Sequence, residues 1–222
     1  MILINNLYLK YVRQYFALYD INLKIEDGES IAFIGERDSG KTSLLRILAK
    51  LEKPTKGEVY IKDIPLAKVD FRQDVSAGFI PFVPAFFENR TVYENFVYIL
   101  KNQNKTRAEI ESEINRIVIE FNLEGIKDEQ VQNLSLFQKY VVSIARLAFR
   151  DLDFVMIDSI FEKLEGEECE KIAELIQKRF IANNTTIIIS ASNEEYTKNL
   201  CSRNIYFKSG SIIEDKEYYD KS

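Results

Sequence analysis

One octapeptide constrains this chain more than any other stretch: Gly35-Glu36-Arg37-Asp38-Ser39-Gly40-Lys41-Thr42 fits the spacing G-x-x-x-x-G-K-T. Before it lies Ser30-Ile31-Ala32-Phe33-Ile34, a β-branched and aromatic run between Gly28 and Gly35 that predicts a buried strand. After it, apolar residues recur at helical spacing over 40–51. Strand, glycine-bearing loop and helix in that order are the setting in which this spacing makes a P-loop. The competing reading, a chance glycine-rich turn before a helix, does not account for both flanks. The physics of such a loop is electrostatic. Backbone N–H groups and the helix N-terminus converge on a β-phosphate, Lys41 neutralises β/γ charge, and the Thr42 hydroxyl enters the shell of a Mg²⁺ ion. Gly35, Arg37, Asp38, Ser39, Gly40, Lys41, Thr42 and Ser43 are therefore candidate nucleotide-binding residues.

A phosphate-bound Mg²⁺ wants a second hard oxygen donor from the protein. Asp153-Phe154-Val155-Met156-Ile157 is an almost wholly apolar run, suited to a central parallel strand covered on both faces, and Asp158 ends it. Asp158 and Thr42 are the candidate metal ligands; a helix-capping or loop aspartate is the competing reading for the former. Further along, 166–180 reads as a helix, 185–190 as a strand, and 203–207 with 211–214 as a hairpin around Ser209-Gly210. Glu58-Val59-Tyr60-Ile61-Lys62 reads as a strand after a turn at Pro54 and Gly57. Thr106-Arg107-Ala108-Glu109 is a capping box opening a helix through about 121, and 136–150 reads as another helix. Strands alternating with helices predict an α/β fold with a largely parallel sheet and an antiparallel β edge. The 222 residues suit a single domain spanning 1–222, with the mainly helical 84–147 as a subdomain within it.

Composition then removes whole classes of chemistry. There is no histidine, so Ser/His/Asp triads, Cys/His pairs and imidazole zinc sites are excluded. The two cysteines, Cys169 and Cys201, are too few for a metal cluster and read most simply as reduced thiols, with a single bridge between them as the other reading. Thirty basic residues against thirty-five acidic ones give a net charge of -5, which argues against a nucleic-acid partner. No apolar run approaches the roughly 18 residues needed to cross a bilayer. The opening residues also lack a charged n-region followed by a long apolar stretch.

Five ordered segments together resemble the ATP-binding subunit, or nucleotide-binding domain, of ABC transporters. Residues 17–29, from Ala17 to the Gly28-Glu29 pair, match the lead-in to the P-loop. Leu51-Glu52-Lys53-Pro54-Thr55-Lys56-Gly57-Glu58-Val59 is similar to the segment after the P-loop helix. Thr91-Val92-Tyr93-Glu94-Asn95 resembles the opening of the helical subdomain. Leu134-Ser135 with Gln138, followed by Ile144-Ala145-Arg146, resembles the signature motif and its helix. The resemblance implies ATP and Mg²⁺ as ligands, with Ser135 and Gln138 added to the nucleotide-binding set. It also implies an aromatic residue upstream of the first strand that stacks on adenine: Tyr11 lies at the matching distance before Ala17, with Tyr15 as the alternative.

Departures from the family pattern fall on the groups that cleave ATP. Ser159 stands where the family has its water-polarising glutamate, with Ile160 where proline is usual, so no residue is assigned a catalytic role. A hydroxyl is a far poorer base than a carboxylate, and loss of general-base catalysis costs about 10²- to 10⁴-fold. Ala191 or Ser192 replaces the switch histidine, Phe82 replaces the glutamine that completes the magnesium shell, and Leu136 and Phe137 replace the two signature glycines. Asp38 takes a usual glycine position, where its charge is unfavourable to a polyphosphate unless Arg37 offsets it or it points outward. Glu165 stands for the aspartate of the loop that follows Asp158.

The resemblance accordingly implies an ATP-binding subunit of an ABC-transporter-type complex that binds Mg-ATP through its P-loop, with weak or absent intrinsic hydrolysis. The alternative is an ATP-hydrolysing transport motor completed by a partner subunit. Implied partners are a second ABC-type subunit, identical or different, and a transmembrane permease. Phe79, Phe82, Val83, Phe86 and Phe87 around Pro81 and Pro84 are the candidate surface for the permease, or else they pack between core and helical lobe. The implied location is cytoplasmic, peripheral at the inner face of the membrane through that permease.

Overall fold

The structure, a computed structural model, describes residues 1–12, 15–101, 103 and 105–218. In chain order its elements begin with β1 (Ile2–Val12), β2 (Tyr15–Ile25), β3 (Ser30–Ile34), α1 (Lys41–Leu48), β4 (Lys56–Ile61), β5 (Ile64–Pro65) and β6 (Ala77–Ile80). Three helices come next: α2 (Val92–Leu100), α3 (Arg107–Glu120) and α4 (Leu136–Leu147). The last elements are β7 (Phe154–Asp158), α5 (Glu167–Arg179), β8 (Thr186–Ala191), β9 (Arg203–Lys208) and β10 (Ser211–Glu217). The chain divides into two units, Met1–Phe82 with Leu152–Ser222, and Val83–Asp151.

The first unit is an α/β structure built on two sheets. Six strands run in the order β10-β9-β3-β8-β7-β6, and every pairing is parallel except the terminal hairpin of β9 and β10. Every residue of β3, β7 and β8 is buried, which is why these strands read as continuous apolar runs without alternation. Register brings their ends level. Ile34 pairs with Ala191 and Asp158 pairs with Ser190, so β3, β7 and β8 end side by side and the segments that leave them emerge along one edge.

A second, antiparallel sheet has the order β2-β1-β4-β5. Ile2, Ile4, Leu7 and Leu9 of β1 and Ile21, Leu23 and Ile25 of β2 turn inward. They share one core with Leu44, Leu45, Ile47 and Leu48 of α1 and with Phe33, Phe154, Met156, Ile188 and Phe207 of the six-stranded sheet. Each such side chain, once buried, contributes about 1.5–3 kcal/mol. The long strands β1 and β2 and the short β6 add to the sequence reading, which placed no strand there. Their apolar residues are interleaved with polar ones, and the β1/β2 register shifts between Ile4 and Leu7 and again before Leu9. Helix α1 ends before the expected 51. Lys50 adopts a left-handed φ of 58°, and the Leu51 amide folds back to the Arg46 carbonyl at 2.8 Å. Cys169 and Cys201 are both free and buried, so the bridge reading fails.

The second unit is helical. Phe96 of α2 meets Phe149 edge-on at 5.0 Å, and Ile114, Ile117, Tyr140, Val142 and Ile144 are buried. Each of α2, α3 and α4 opens on a capping box, at Thr91/Glu94, Thr106/Glu109 and Ser135/Gln138. In these the hydroxyl accepts the third amide of the helix while the acid or amide side chain accepts the cap's own N–H. Thr106→Ala removes one half of such a pair, and we expect it to lower unfolding free energy by about 1 kcal/mol in a urea titration.

Candidate nucleotide site

At the end of β3 the chain turns sharply through Gly35 to Gly40 into α1. The tightness explains two glycines. A Cβ at Gly40, where φ is 109°, would meet the Ala17 carbonyl at 2.7 Å, and one at Gly35 would meet the Phe207 carbonyl at 2.4 Å. Asp38 also takes a left-handed φ, of 63°, and lies exposed, so its carboxylate is hydrated. The Gly35 amide donates to Ala191 of β8 at 3.2 Å and the Gly210 amide donates to Ser39 at 2.9 Å, tying the loop to the β8 and β9–β10 ends.

Lys41, the first residue of α1, is only 5% exposed. Its ammonium curls back over the loop and donates to the Gly35 carbonyl at 2.6 Å, the Glu36 carbonyl at 2.8 Å and Ser39 Oγ at 3.3 Å. Burial pushes its pKa down, opposed by the charges of Glu162, Asp158 and Asp38. Beside it Thr42 Oγ1 donates to Asp158 Oδ1 at 2.9 Å. Asp158 is 2% exposed and accepts a second hydroxyl on the same oxygen, from Ser190 at 2.7 Å.

Ser159 follows in a left-handed conformation with φ of 51° and ψ of 33°, and is 7% exposed. Its amide donates to the Ser190 carbonyl at 3.1 Å, and its Oγ shares a hydrogen bond of 3.1 Å with Ser190 Oγ. Thr42, Asp158, Ser190 and Ser159 thus form one oxygen cluster at the strand ends. Ala191, at one of the two positions weighed for a switch histidine, is buried. Lys163 Nζ sits 3.8 Å from the Phe82 ring centroid.

A cleft of about 590 Å³ opens over this cluster, in the range typical of small-molecule sites. Tyr11, Tyr15, Arg37, Asp38, Ser39, Gly40, Lys41, Thr42, Ser43, Phe82, Asp158, Ser159 and Glu162 line it. Both tyrosines named from the sequence are present and about half exposed, at 52% for Tyr11 and 50% for Tyr15. They differ in restraint. The Tyr11 hydroxyl donates to Glu52 Oε2 at 2.8 Å and shares a 3.2 Å hydrogen bond with Ser43 Oγ, and burial with the Glu52 charge pushes its pKa up. Ser135 and Gln138 lie in the second unit, where their side chains serve the capping box of α4: the Gln138 amide donates to Ser135 Oγ at 3.2 Å, and the Ser135 amide to Gln138 Oε1 at 2.8 Å.

The donor set fits a phosphate chain with a hard cation. A buried ammonium supplies positive charge, and a hydroxyl and a carboxylate oxygen converge beside it at hydrogen-bond distance. Among the described residues no group of three or more acidic, Cys or His side chains could hold a metal unaided, so a cation here needs oxygens from its ligand as well. Sequence reasoning missed three members of this neighbourhood: Ser190, Glu52 and Glu162. Only the strand register could have revealed the first.

The family profile described as ABC transporter matches residues 18–162. The chain is 30% identical over 210 residues to "Methionine import ATP-binding protein MetN 1" of Bacillus thuringiensis subsp. konkukian (strain 97-27), covering 92% of this chain and 61% of that protein. It therefore spans less than two thirds of that relative's length. A bacterial ABC transporter cassette solved as a dimer superposes with a TM-score of 0.87 at 25% identity, over 99% of this chain and 100% of that one. An ATP-binding cassette in a dimeric post-hydrolysis state bound to ADP and Pi gives 0.88 at 24%, over 99% and 100%. With the glycine-bearing loop at the end of a parallel strand and an aspartate ending its neighbour but one, these matches establish that the chain belongs to the ABC transporter family, as one of its α/β nucleotide-binding domains.

Proposed function

We propose that the cleft binds ATP with Mg²⁺ and that the chain serves as the ATP-binding subunit of an ABC-transporter-type complex, with weak or absent intrinsic hydrolysis. The observation that carries this reading is the Thr42–Asp158 oxygen pair at 2.9 Å beside the buried Lys41 ammonium. Tyr11, steadied by Glu52 and Ser43, stacks on adenine. The loop from Gly35 to Ser43 holds the phosphates, and Thr42 and Asp158 hold Mg²⁺. Bound there, the cation neutralises charge on the phosphate oxygens.

Slow turnover follows from Ser159, whose hydroxyl is committed to Ser190 and offers no carboxylate. Ser135 and Gln138 cap α4 and present its N-terminus, with Leu136 and Phe137 beside it, to the nucleotide of a second cassette, identical or different. The dimeric cassettes of the same fold support that partner. A permease is the other partner. In the second unit, Phe86, Phe87, Tyr98 and Arg146 line a cleft of about 550 Å³, with the Arg146 guanidinium 4.7 Å from the Phe86 centroid, and we place a permease segment there. None of the described helices is long and apolar enough to cross a membrane, so attachment at the inner membrane face runs through that permease. No nucleic-acid partner is assigned. The second reading, a hydrolysing motor, is favoured by one feature: a further carboxylate in the cleft, Glu162.

Titration calorimetry with ATP and Mg²⁺ tests the proposal. Saturable heat is expected, and ATP at 100 times its Kd should stabilise the fold by about 2.7 kcal/mol. The absence of both heat and a thermal shift would sink it. Tyr11→Ala should weaken ATP binding about tenfold, since base stacking is worth about 1–3 kcal/mol, while inorganic triphosphate binds as before.

A further inference from the structure

Three carboxylates line the cleft: Asp38, Asp158 and Glu162. Asp158 Oδ1 already accepts hydroxyls from Thr42 and Ser190 and belongs with the cation. Asp38 lies on the phosphate loop itself, exposed, and of the three acts least on Lys41. Glu162 remains. It sits on a single 3-10 turn, Ile160–Lys163, launched by the left-handed Ser159. Ile160 and Phe161 are buried, with Phe161 stacked on Tyr196 at 5.7 Å, and Lys163 rests over Phe82. The turn is thereby pinned on both sides of Glu162, which is left exposed and facing the cleft. Among the acids acting on the Lys41 ammonium, Glu162 has the largest effect.

We infer that Glu162 polarises the water that attacks bound ATP, taking over from three residues downstream the task that Ser159 cannot perform. The inference rests on the ATP-binding reading above. In the step, the water oxygen attacks the γ-phosphorus and its proton passes to a Glu162 carboxylate oxygen. The bond from the γ-phosphorus to the bridging oxygen breaks, and its electron pair stays on ADP. Glu162 then releases the proton to solvent. Four positions along the chain separate it from Asp158, and both line the same cleft as Lys41 and Thr42, so we place its carboxylate at the γ-phosphate.

The test uses the full chain with Mg-ATP and three readouts: phosphate release, ATP affinity by calorimetry, and the identity of the bound nucleotide after incubation. Glu162→Gln should cut phosphate release at least about 10²-fold. It should not weaken ATP binding, and should tighten it, because one negative charge leaves the phosphate end. The variant should retain ATP where the unaltered chain holds ADP. Glu174→Gln, an exposed acid on α5 outside the cleft, is the control. Undiminished phosphate release in Glu162→Gln overturns the inference. So does an unaltered chain that binds ATP and leaves it uncleaved, and in that case the binding reading stands. An unaltered chain that binds no ATP overturns both.

Discussion

Replacing Lys41 by alanine is expected to weaken Mg-ATP binding by at least about 10²-fold, the consequence of losing a charge-assisted contact worth roughly 1.5–3 kcal/mol together with the neutralisation it provides. The ammonium is held in place before any ligand arrives, by the Gly35 and Glu36 carbonyls and Ser39 Oγ. Burial makes it costly to keep charged, and that cost is recovered when phosphate oxygens surround it. Without the lysine, the Gly35 and Glu36 carbonyls lose their donor and the phosphate chain loses its cation, and the second loss is the one that weakens binding. Calorimetry reads the affinity, and the melting temperature without nucleotide shows that the variant is folded. Lys41→Arg should not rescue, because a planar fork does not fit the space in which a point charge meets three loop oxygens. Binding within threefold of the unaltered chain, for either variant, would refute the assignment of this loop to the phosphates.

The parts of the molecule that were legible in its sequence are those set by local chemistry. Runs such as 30–34 and 153–157 read as strands buried on both faces, and Thr106 with Glu109 announces the start of α3 at the next residue, Arg107. The loop spacing puts Lys41 beside Thr42 whatever the tertiary structure. Less legible were β1 and β2, where register breaks between Ile4 and Leu9 scramble the period-two pattern. Partnerships across the sheet were not legible at all. Ser190 reaches Asp158 because β7 and β8 pair in parallel with those two residues abreast, and a shift of one place would turn Ser190 to the opposite face. Glu162 lines the cleft from a turn that Ser159 opens with a left-handed φ, which no residue-type preference announces for serine. Homology pointed to Ser159 as the position of a missing carboxylate; the structure supplies a different acid nearby.

That contrast makes Ser159→Glu the other substitution with a large expected effect. Ser159 lines the cleft although it is 7% exposed, so a side chain two carbons longer passes beyond Ser190 and brings its carboxylate to the water side. Two added costs accompany it, beside one strain that the substitution leaves unchanged. A left-handed backbone costs a non-glycine residue about 1–2 kcal/mol, a strain serine already carries and glutamate carries equally. The hydrogen bond with Ser190 Oγ is lost, worth about 1 kcal/mol. A second negative charge next to Asp158 adds repulsion that the bound cation offsets. Stability without nucleotide should therefore fall by about 1–2 kcal/mol, most of it recovered with Mg-ATP bound. Phosphate release should rise about 10²-fold, at the low end of what a general base contributes, because Phe82, Leu136 and Phe137 are unchanged. If Glu162 has the role inferred for it, the double variant Ser159→Glu with Glu162→Gln keeps most of that gain, since the new carboxylate no longer needs the old one. A gain that disappears in the double variant would mean that residue 159 acts only through Glu162, and an unchanged rate in Ser159→Glu would place the limiting step away from water activation.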